Sequence, residues 1–244
     1  MKAHLYLWKN EREKYKNQLT DIRDLFFERI VKVFSDSEEQ ADRFEEELLQ
    51  IPIQYDYDGD PTGDPGDFFE WVQEKTYDKY VLLEIMNYRT LAMWIACLCQ
   101  IWEQQNIIFL KRQLKIIGYE LVNTKGDGTQ IVIEAFSIDT IKRIYKEFNV
   151  DITSFTFWSK IVEMRDLVNV IKHGKGSSED RLKRAHPDYF SNKGFGVLGV
   201  LDNYGTTLID RTLNITNQDF QDYYDVLIQF WDKLPERMYK GEAS

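Results

Sequence analysis

The chain is poor in cysteine, in uninterrupted apolar runs and in positive charge, and each shortage removes a class of protein. It has 2 cysteines in 244 residues, Cys97 and Cys99. Two residues apart on a helix, their side chains diverge by about 160°, so they neither chelate one ion nor close an ordinary disulfide. Free, buried thiols in a reducing compartment are the expectation. The most apolar run, Leu91 to Trp102, is too short to span a bilayer and reads as a core helix. The first residues, MKAHLYLWKNEREKYK, lack the apolar core of a signal peptide. A cytoplasmic protein with no membrane partner is therefore expected. Lys and Arg number 31 against 41 Asp and Glu, a formal charge of −10. That disfavours a dedicated non-specific nucleic-acid binder, whose affinity rests on neutralising phosphates. It leaves room for an enzyme with a local basic patch and a transient RNA substrate.

Nucleotide and metal motifs are also missing. There is no P-loop, no HExxH and no Gly-x-Ser-x-Gly elbow. GFGVLG, Gly194 to Gly199, fits G-x-G-x-x-G only literally. Another turn follows it where a βαβ unit would supply a helix N-terminus for a pyrophosphate. The acidic loop DYDGDPTGDPGD fails as an EF-hand in both registers. Started at Asp56, it puts Pro61 at the glycine site and Asp67 at the final Glu. Started at Asp58, it puts Phe69 at the last ligand position. It reads as an acidic surface loop stiffened by Pro61 and Pro65. No metal and no cofactor is expected, and His4 and His186 read as surface histidines.

What is present describes a folded protein. Hydrophobic residues make up 43% and aromatics 14%, enough for a substantial core. Tyr15, Leu19, Ile22, Phe26, Ile30 and Val33 recur at helical spacing from Glu11 to Phe34. Ser35 and Glu38 suggest a capping box for a second helix reaching about Gln50, with Phe44, Leu48 and Leu49 as its apolar contacts. From Asp67 to Gly118 the periodicity predicts a short helix and a long one, with a break near Thr76. Two β-leaning runs around Gly-Asp-Gly predict a hairpin within Tyr119 to Phe136. Helices follow over Ile138 to Phe148 and Ser154 to His173, then a short one capped by Ser177 or Ser178. Gly194 to Ile215 suggests a second hairpin, and a last helix is expected to be capped by Asn217 and ended by Pro235. Trp94, Leu98, Ile101, Trp102, Ile161, Leu167, Val168 and Ile171 are the expected core. The fold class is mainly α: a helical bundle with one or two small β-hairpins. It is read as one domain over residues 1–244, with 1–66 as an N-terminal helical subregion and 67–244 as the core bundle.

The most informative segment is FWSKIVEMRDLVNVIKHGKGSSEDRLKR, Phe157 to Arg184. Arg165, Asn169 and His173 stand four apart and form a slowly turning polar stripe. Ile161, Met164, Leu167, Val168 and Ile171 supply the apolar face. RNA is cleaved without metal when a histidine moves the 2′-hydroxyl proton and a cation stabilises the phosphorane-like charge. His173 suits the first role and Arg165, permanently charged and forked, the second. Asn169 would orient the imidazole or the phosphate. Lys172, Lys175, Arg181, Lys183 and Arg184 form a basic cluster around them that would bind RNA. The structural alternative stands beside this: Arg165 paired with Glu163, Asp166 or a neighbouring helix, Asn169 capping or bridging, and His173 favoured by the helix dipole alone.

An Arg, a polar residue and a terminal His on one helix of a small helical protein resemble the HEPN superfamily. The family motif is an Arg, four to six residues with a polar one usually beside the Arg, and a His. Here seven residues separate Arg165 from His173, more than the usual range, and the resemblance covers about twenty residues. It implies a helical bundle and a metal-independent endoribonuclease of the kind found in toxin–antitoxin and phage-defence systems. It further implies Arg165 and His173 as catalytic with Asp166 at the polar position, an RNA substrate, an antitoxin or other protein partner, and a homodimer that completes the site. The rival reading is a non-catalytic helical interaction module in which Arg165, Asn169 and His173 form a structural network.

Overall fold

The computed structural model describes residues 3–52, 64–124, 126, 129–133, 135–191 and 200–241. Its longest element, the helix α4, Pro65–Ile116, runs 52 residues, about 78 Å at 1.5 Å per residue. The predicted break near Thr76 is absent, because no Gly or Pro occurs between Gly66 and Gly118. Asp64 caps the start by accepting a hydrogen bond from the Gly66 amide at 2.8 Å. At the far end Gly118 (φ 64°) donates to the Lys115 carbonyl, and Tyr119 donates to that of Leu114. This is the two-bond signature of a Schellman stop.

Around α4 pack α1 (Lys9–Leu25), α5 (Ile138–Glu147), α6 (Trp158–His173) and α9 (Asn217–Lys233). α1 continues through a π-helical segment, Phe26–Ile30, into α2 (Val31–Val33), and α3 (Ser37–Leu49) lies along the first half of α4. The remaining helices are α7 (Ser177–Ala185) and α8 (Val200–Tyr204), with 3₁₀ turns at Ile152–Ser154 and Pro187–Phe190. The fold is mainly α, as expected, with two small antiparallel strand pairs.

One pair is the predicted hairpin, β2 (Val122–Thr124) with β3 (Gln130–Val132). The other joins the chain ends, β1 (His4–Tyr6) with β4 (Arg237–Tyr239), Leu5 facing Met238. The second hairpin expected over Gly194 to Ile215 does not form where the chain is described, since α8 occupies Val200–Tyr204. The GFGVLG stretch and most of the acidic loop lie outside the described residues.

The core is aromatic. Trp102, Trp231, Phe109, Phe148, Phe220 and Phe230 are fully buried, with Trp102 edge-on to Phe230 at 5.1 Å. Leu98, Ile161, Leu167, Val168 and Ile171 are buried as expected, whereas Trp94 and Ile101 are only partly so. Both sit at the margin of α4's inner face, where Trp94 meets Phe26 at 5.7 Å and Ile101 lines a surface groove. Buried amides on α4 tie its neighbours together. Gln105 donates to the Tyr15 carbonyl and accepts from the Trp231 indole, both at 3.0 Å. Asn106 accepts from the Tyr145 hydroxyl at 2.9 Å.

Among the described residues α4 is the one helix long and apolar enough to cross a membrane by length and composition, with 33% of its most apolar 18-residue window buried. In this fold it is the helix on which the others pack.

Several helix starts differ from expectation, and among them α9 alone has a side-chain cap. Ser35 bonds back to the Lys32 carbonyl, so α3 begins behind Asp36 without a capping box. Asp151 organises a 3₁₀ turn first, and α6 starts at Trp158. Gly176, not Ser177 or Ser178, is the N-cap of α7. Thr216, one residue before the expected cap Asn217, is the N-cap of α9 and makes a capping box with Asp219. Cys97 is exposed, contrary to the buried pair expected, while Cys99 is buried.

Candidate functional site

The inner face of α6 is tied down. Ile161, Met164, Leu167 and Val170 are completely buried, and the helix closes where Gly174 donates to the Val170 carbonyl at 2.8 Å. Gly174 turns with φ 66° and ψ −126° beneath the Gly205 carbonyl. A Cβ there would lie 1.7 Å from that oxygen, so only glycine fits. Thr207 then donates to the Ile171 carbonyl at 2.9 Å. The segment 205–207 thus covers the end of α6 and fixes where His173 stands.

The outer stripe holds three of the predicted residues. Arg165 donates through Nε to Oε1 of Glu103 on α4 at 2.6 Å, with its side chain 26% exposed. The pair uses Nε; the two terminal nitrogens make no hydrogen bond among the described residues, and the Asp139 carboxylate lies within electrostatic reach. The side chains of Asn169, half-buried, and His173, exposed, make no hydrogen bond among the described residues. Lys172 is exposed beside them and lines the groove between α1 and α4. Arg165 and His173 are eight residues apart, about 12 Å along the axis. Burial, and then the negative charge of Glu103, push the thiol of Cys99 beneath this stripe up to about 12. That thiol stays protonated and unreactive.

The other predicted residues are drawn elsewhere. Asp166 is 8% exposed and receives both Nε and Nη2 of Arg181, at 3.0 and 2.5 Å. The pair clamps α7 onto α6, away from the stripe. Lys183 pairs with Glu179 at 2.7 Å and approaches Asp202 at 3.4 Å. Lys175 donates to the Asp202 carbonyl, and Arg184 to the carbonyl of Asp180. Of the expected RNA-binding cluster, Lys172 stands in the open beside His173. Arg181 and Lys183 carry carboxylate partners.

Glu103 escaped the sequence reading, and Glu163, weighed there as a partner of Arg165, is engaged elsewhere. Glu103, which anchors Arg165, is the lone charge in an apolar run, and that isolation was its signal. Glu163 is 6% exposed and collects Lys160 at 2.6 Å, Tyr189 at 2.7 Å and Tyr223 at 2.9 Å on one oxygen. His186 Nε2 lies 3.2 Å from the other. Burial raises the Tyr189 and Tyr223 hydroxyls far above the ordinary phenol range. Both therefore act as donors to Glu163, in a structural hub joining α6, the 3₁₀ turn Pro187–Phe190 and α9. Nothing in the sequence distinguishes Glu163 from a surface glutamate. Among the described residues no three His, Cys, Asp or Glu side chains converge to hold a metal. Neither a family model, nor a curated protein, nor a solved structure matches this chain.

Proposed function

We propose that the protein is a HEPN-like, metal-independent endoribonuclease acting at the outer stripe of α6. The observation that carries this reading is the state of the stripe. Arg165 is held by its Nε, and neither its terminal nitrogens nor the side chains of half-buried Asn169 and exposed His173 make a hydrogen bond among the described residues. A buried structural network would have spent these groups.

In this reading His173 takes the proton of a ribose 2′-hydroxyl as the 2′-oxygen attacks phosphorus. The bond to the 5′-oxygen breaks, and that oxygen leaves with a proton from water. Lys172, adjacent to His173, faces the reacting phosphate. Arg165, about 12 Å up the helix, forks onto a neighbouring phosphate. Glu103 holds the guanidinium in position, and Asn169 orients the strand between them. The resemblance adds a setting, phage defence or a toxin–antitoxin pair, in which a protein antitoxin would be the partner.

The test is cleavage of single-stranded RNA in excess chelator. His173→Ala should lower the rate by about 10²–10⁴, the range for loss of a general acid–base group, with an unchanged circular dichroism spectrum. Arg165→Ala should raise KM more than it lowers kcat. Equal activity of His173→Ala and the parent would overturn the assignment. The second reading, a non-catalytic interaction module, is favoured by Asp166 and Arg181, which the structure spends on holding α7 in place.

A further inference from the structure

We propose that the outward face of the β1–β4 ribbon is a stacking platform that holds single-stranded RNA by its bases, outside the α6 stripe. Side chains alternate along β1 and the two residues that follow it. Leu5 and Leu7 turn inward with Met238 of β4, and all three are buried. The outward positions fall to His4, Tyr6 and Trp8 on one side and to Arg237 and Tyr239 on the other. His4 stands opposite Tyr239, and Tyr6 opposite Arg237. The solvent face of a half-buried sheet ordinarily carries polar side chains. Here it carries rings.

The fold does not call for those rings. Trp8 is 60% exposed and Tyr239 46%. Trp8 also holds the N-cap position of α1, where Ser, Thr, Asp or Asn would accept an amide hydrogen bond, and its side chain accepts none. The surface is rigid all the same. The Leu7 amide donates to the Glu236 carbonyl at 2.8 Å, and that of Lys240 to the Ala3 carbonyl at 2.9 Å. The Tyr6 amide donates to Oε1 of Gln113 on α4 at 3.0 Å. Trp8 stands edge-on to Tyr6 with centroids 4.6 Å apart, and His4 lies 5.4 Å from Tyr239. Rings fixed in advance lose little freedom when a ligand stacks on them.

Charge favours a nucleic acid over a protein segment. In a chain of formal charge −10, cations gather at these rings. The Arg237 guanidinium lies 5.5 Å from the centroid of Tyr6, and the Lys240 ammonium 4.2 Å from that of Tyr119. Glu236 and Glu147 accept hydrogen bonds from the hydroxyls of Tyr6 and Tyr119. Aromatic faces take bases while neighbouring cations take the phosphates between them, a pairing that serves single strands of any sequence. A proline-rich peptide would use the rings and leave the cations idle. Gln113, which anchors β1, is ten residues beyond Glu103, about 15 Å along α4. The platform therefore shares no residue with the stripe, and its binding is measurable with an RNA that cannot be cut.

The experiment is fluorescence anisotropy of the full chain with a labelled single-stranded RNA of about ten nucleotides. Every ribose is 2′-O-methylated, so no 2′-hydroxyl can attack. The parent should bind it, and should bind a duplex of the same length more weakly, because paired bases are already stacked. Trp8→Ala and Tyr239→Ala should each weaken binding by about tenfold or more, the effect of losing one stacked base. Their circular dichroism spectra and melting should not change. Trp8→Phe, which keeps a ring, should recover most of the affinity. Arg237→Gln should flatten the slope of log affinity against log salt by about 0.7, the share of one phosphate contact on a single strand. Absence of binding, or equal binding by the parent, Trp8→Ala and Tyr239→Ala, overturns the inference and leaves the α6 reading untouched. Binding that depends on Trp8 in a protein that cuts no RNA upholds the platform and removes the α6 reading instead. A proline-rich peptide that binds through Trp8 where the oligonucleotide does not would overturn the inference in favour of a protein partner.

Discussion

Replacing Gly174 by alanine tests how the end of α6, and with it His173, is held. The residue has φ 66° and ψ −126°, a region nearly closed to side-chain-bearing residues. Forcing alanine into it costs on the order of 1–3 kcal/mol. The new Cβ would sit 1.7 Å from the Gly205 carbonyl oxygen and 2.6 Å from its carbon. That obstacle is backbone, which cannot rotate away, and overpacking of this kind adds about 1–3 kcal/mol. The total of roughly 2–6 kcal/mol is a large part of the 5–15 kcal/mol of a typical domain. At about 2–4 °C per kcal/mol for a chain of this size, melting should fall by roughly 5–20 °C. The control is Gly118→Ala. Its φ is 64°, but nothing lies within 4 Å of the added Cβ, so only the left-handed cost of about 1–2 kcal/mol applies. Thermal melts followed at 222 nm for both variants decide the matter. If Gly174→Ala melts no lower than Gly118→Ala, the 205–207 segment does not press on the end of α6, and the placement of His173 loses its support.

Other outcomes follow from the buried polar groups. Glu163→Ala should cost about 3–5 kcal/mol by stranding Lys160 and two buried hydroxyls, read as a lower urea midpoint. Tyr223→Phe, which removes one donor from the hub, should cost about 1–2 kcal/mol. In the Cys97→Ser background a thiol reagent at pH 8 should find nothing to titrate until denaturant is added, because burial raises Cys99 to about 12; prompt reaction would contradict its burial. Stability should also fall in alkali. The phenol of Tyr119 is raised from 10.0 to about 12, first by burial and then by its bond to Glu147, and Tyr15, Tyr145, Tyr189 and Tyr223 are raised too. The folded state therefore keeps protons that the unfolded chain loses from about pH 10. Melting temperature should hold up to about pH 9 and drop steadily above pH 10, and a flat profile would contradict the buried hydroxyls.

The helices were legible because their apolar residues recur at 3.6-residue spacing whatever the rest of the chain does. The continuity of α4 and the pairing of β1 with β4 were not. The first depends on the absence of Gly and Pro over fifty residues, which outweighs the local polarity near Thr76. The second joins residues more than 230 positions apart, and three-residue strands carry no pattern of their own. At the candidate site, periodicity found the stripe of Arg165, Asn169 and His173. It could not show that Glu103 reaches across from α4, or that Asp166 and Arg181 are spent on each other. Ion pairs between helices are set by packing angles that a linear sequence does not display. Gly174 ends α6 as the sequence implies, yet the reason no other residue fits is a carbonyl thirty-one positions away.

The central claim is chemical, and the nature of the cleaved ends tests it most directly. End-labelled single-stranded RNA should be incubated with the parent and with His173→Ala in excess chelator, and the product termini identified by mass spectrometry. Attack by a 2′-oxygen, with His173 as base, predicts 2′,3′-cyclic phosphate on one fragment and a 5′-hydroxyl on the other. The same products should be missing or reduced at least about a hundredfold for His173→Ala. Intact RNA with the folded parent, or products with 5′-phosphate ends that persist without His173, would contradict the account.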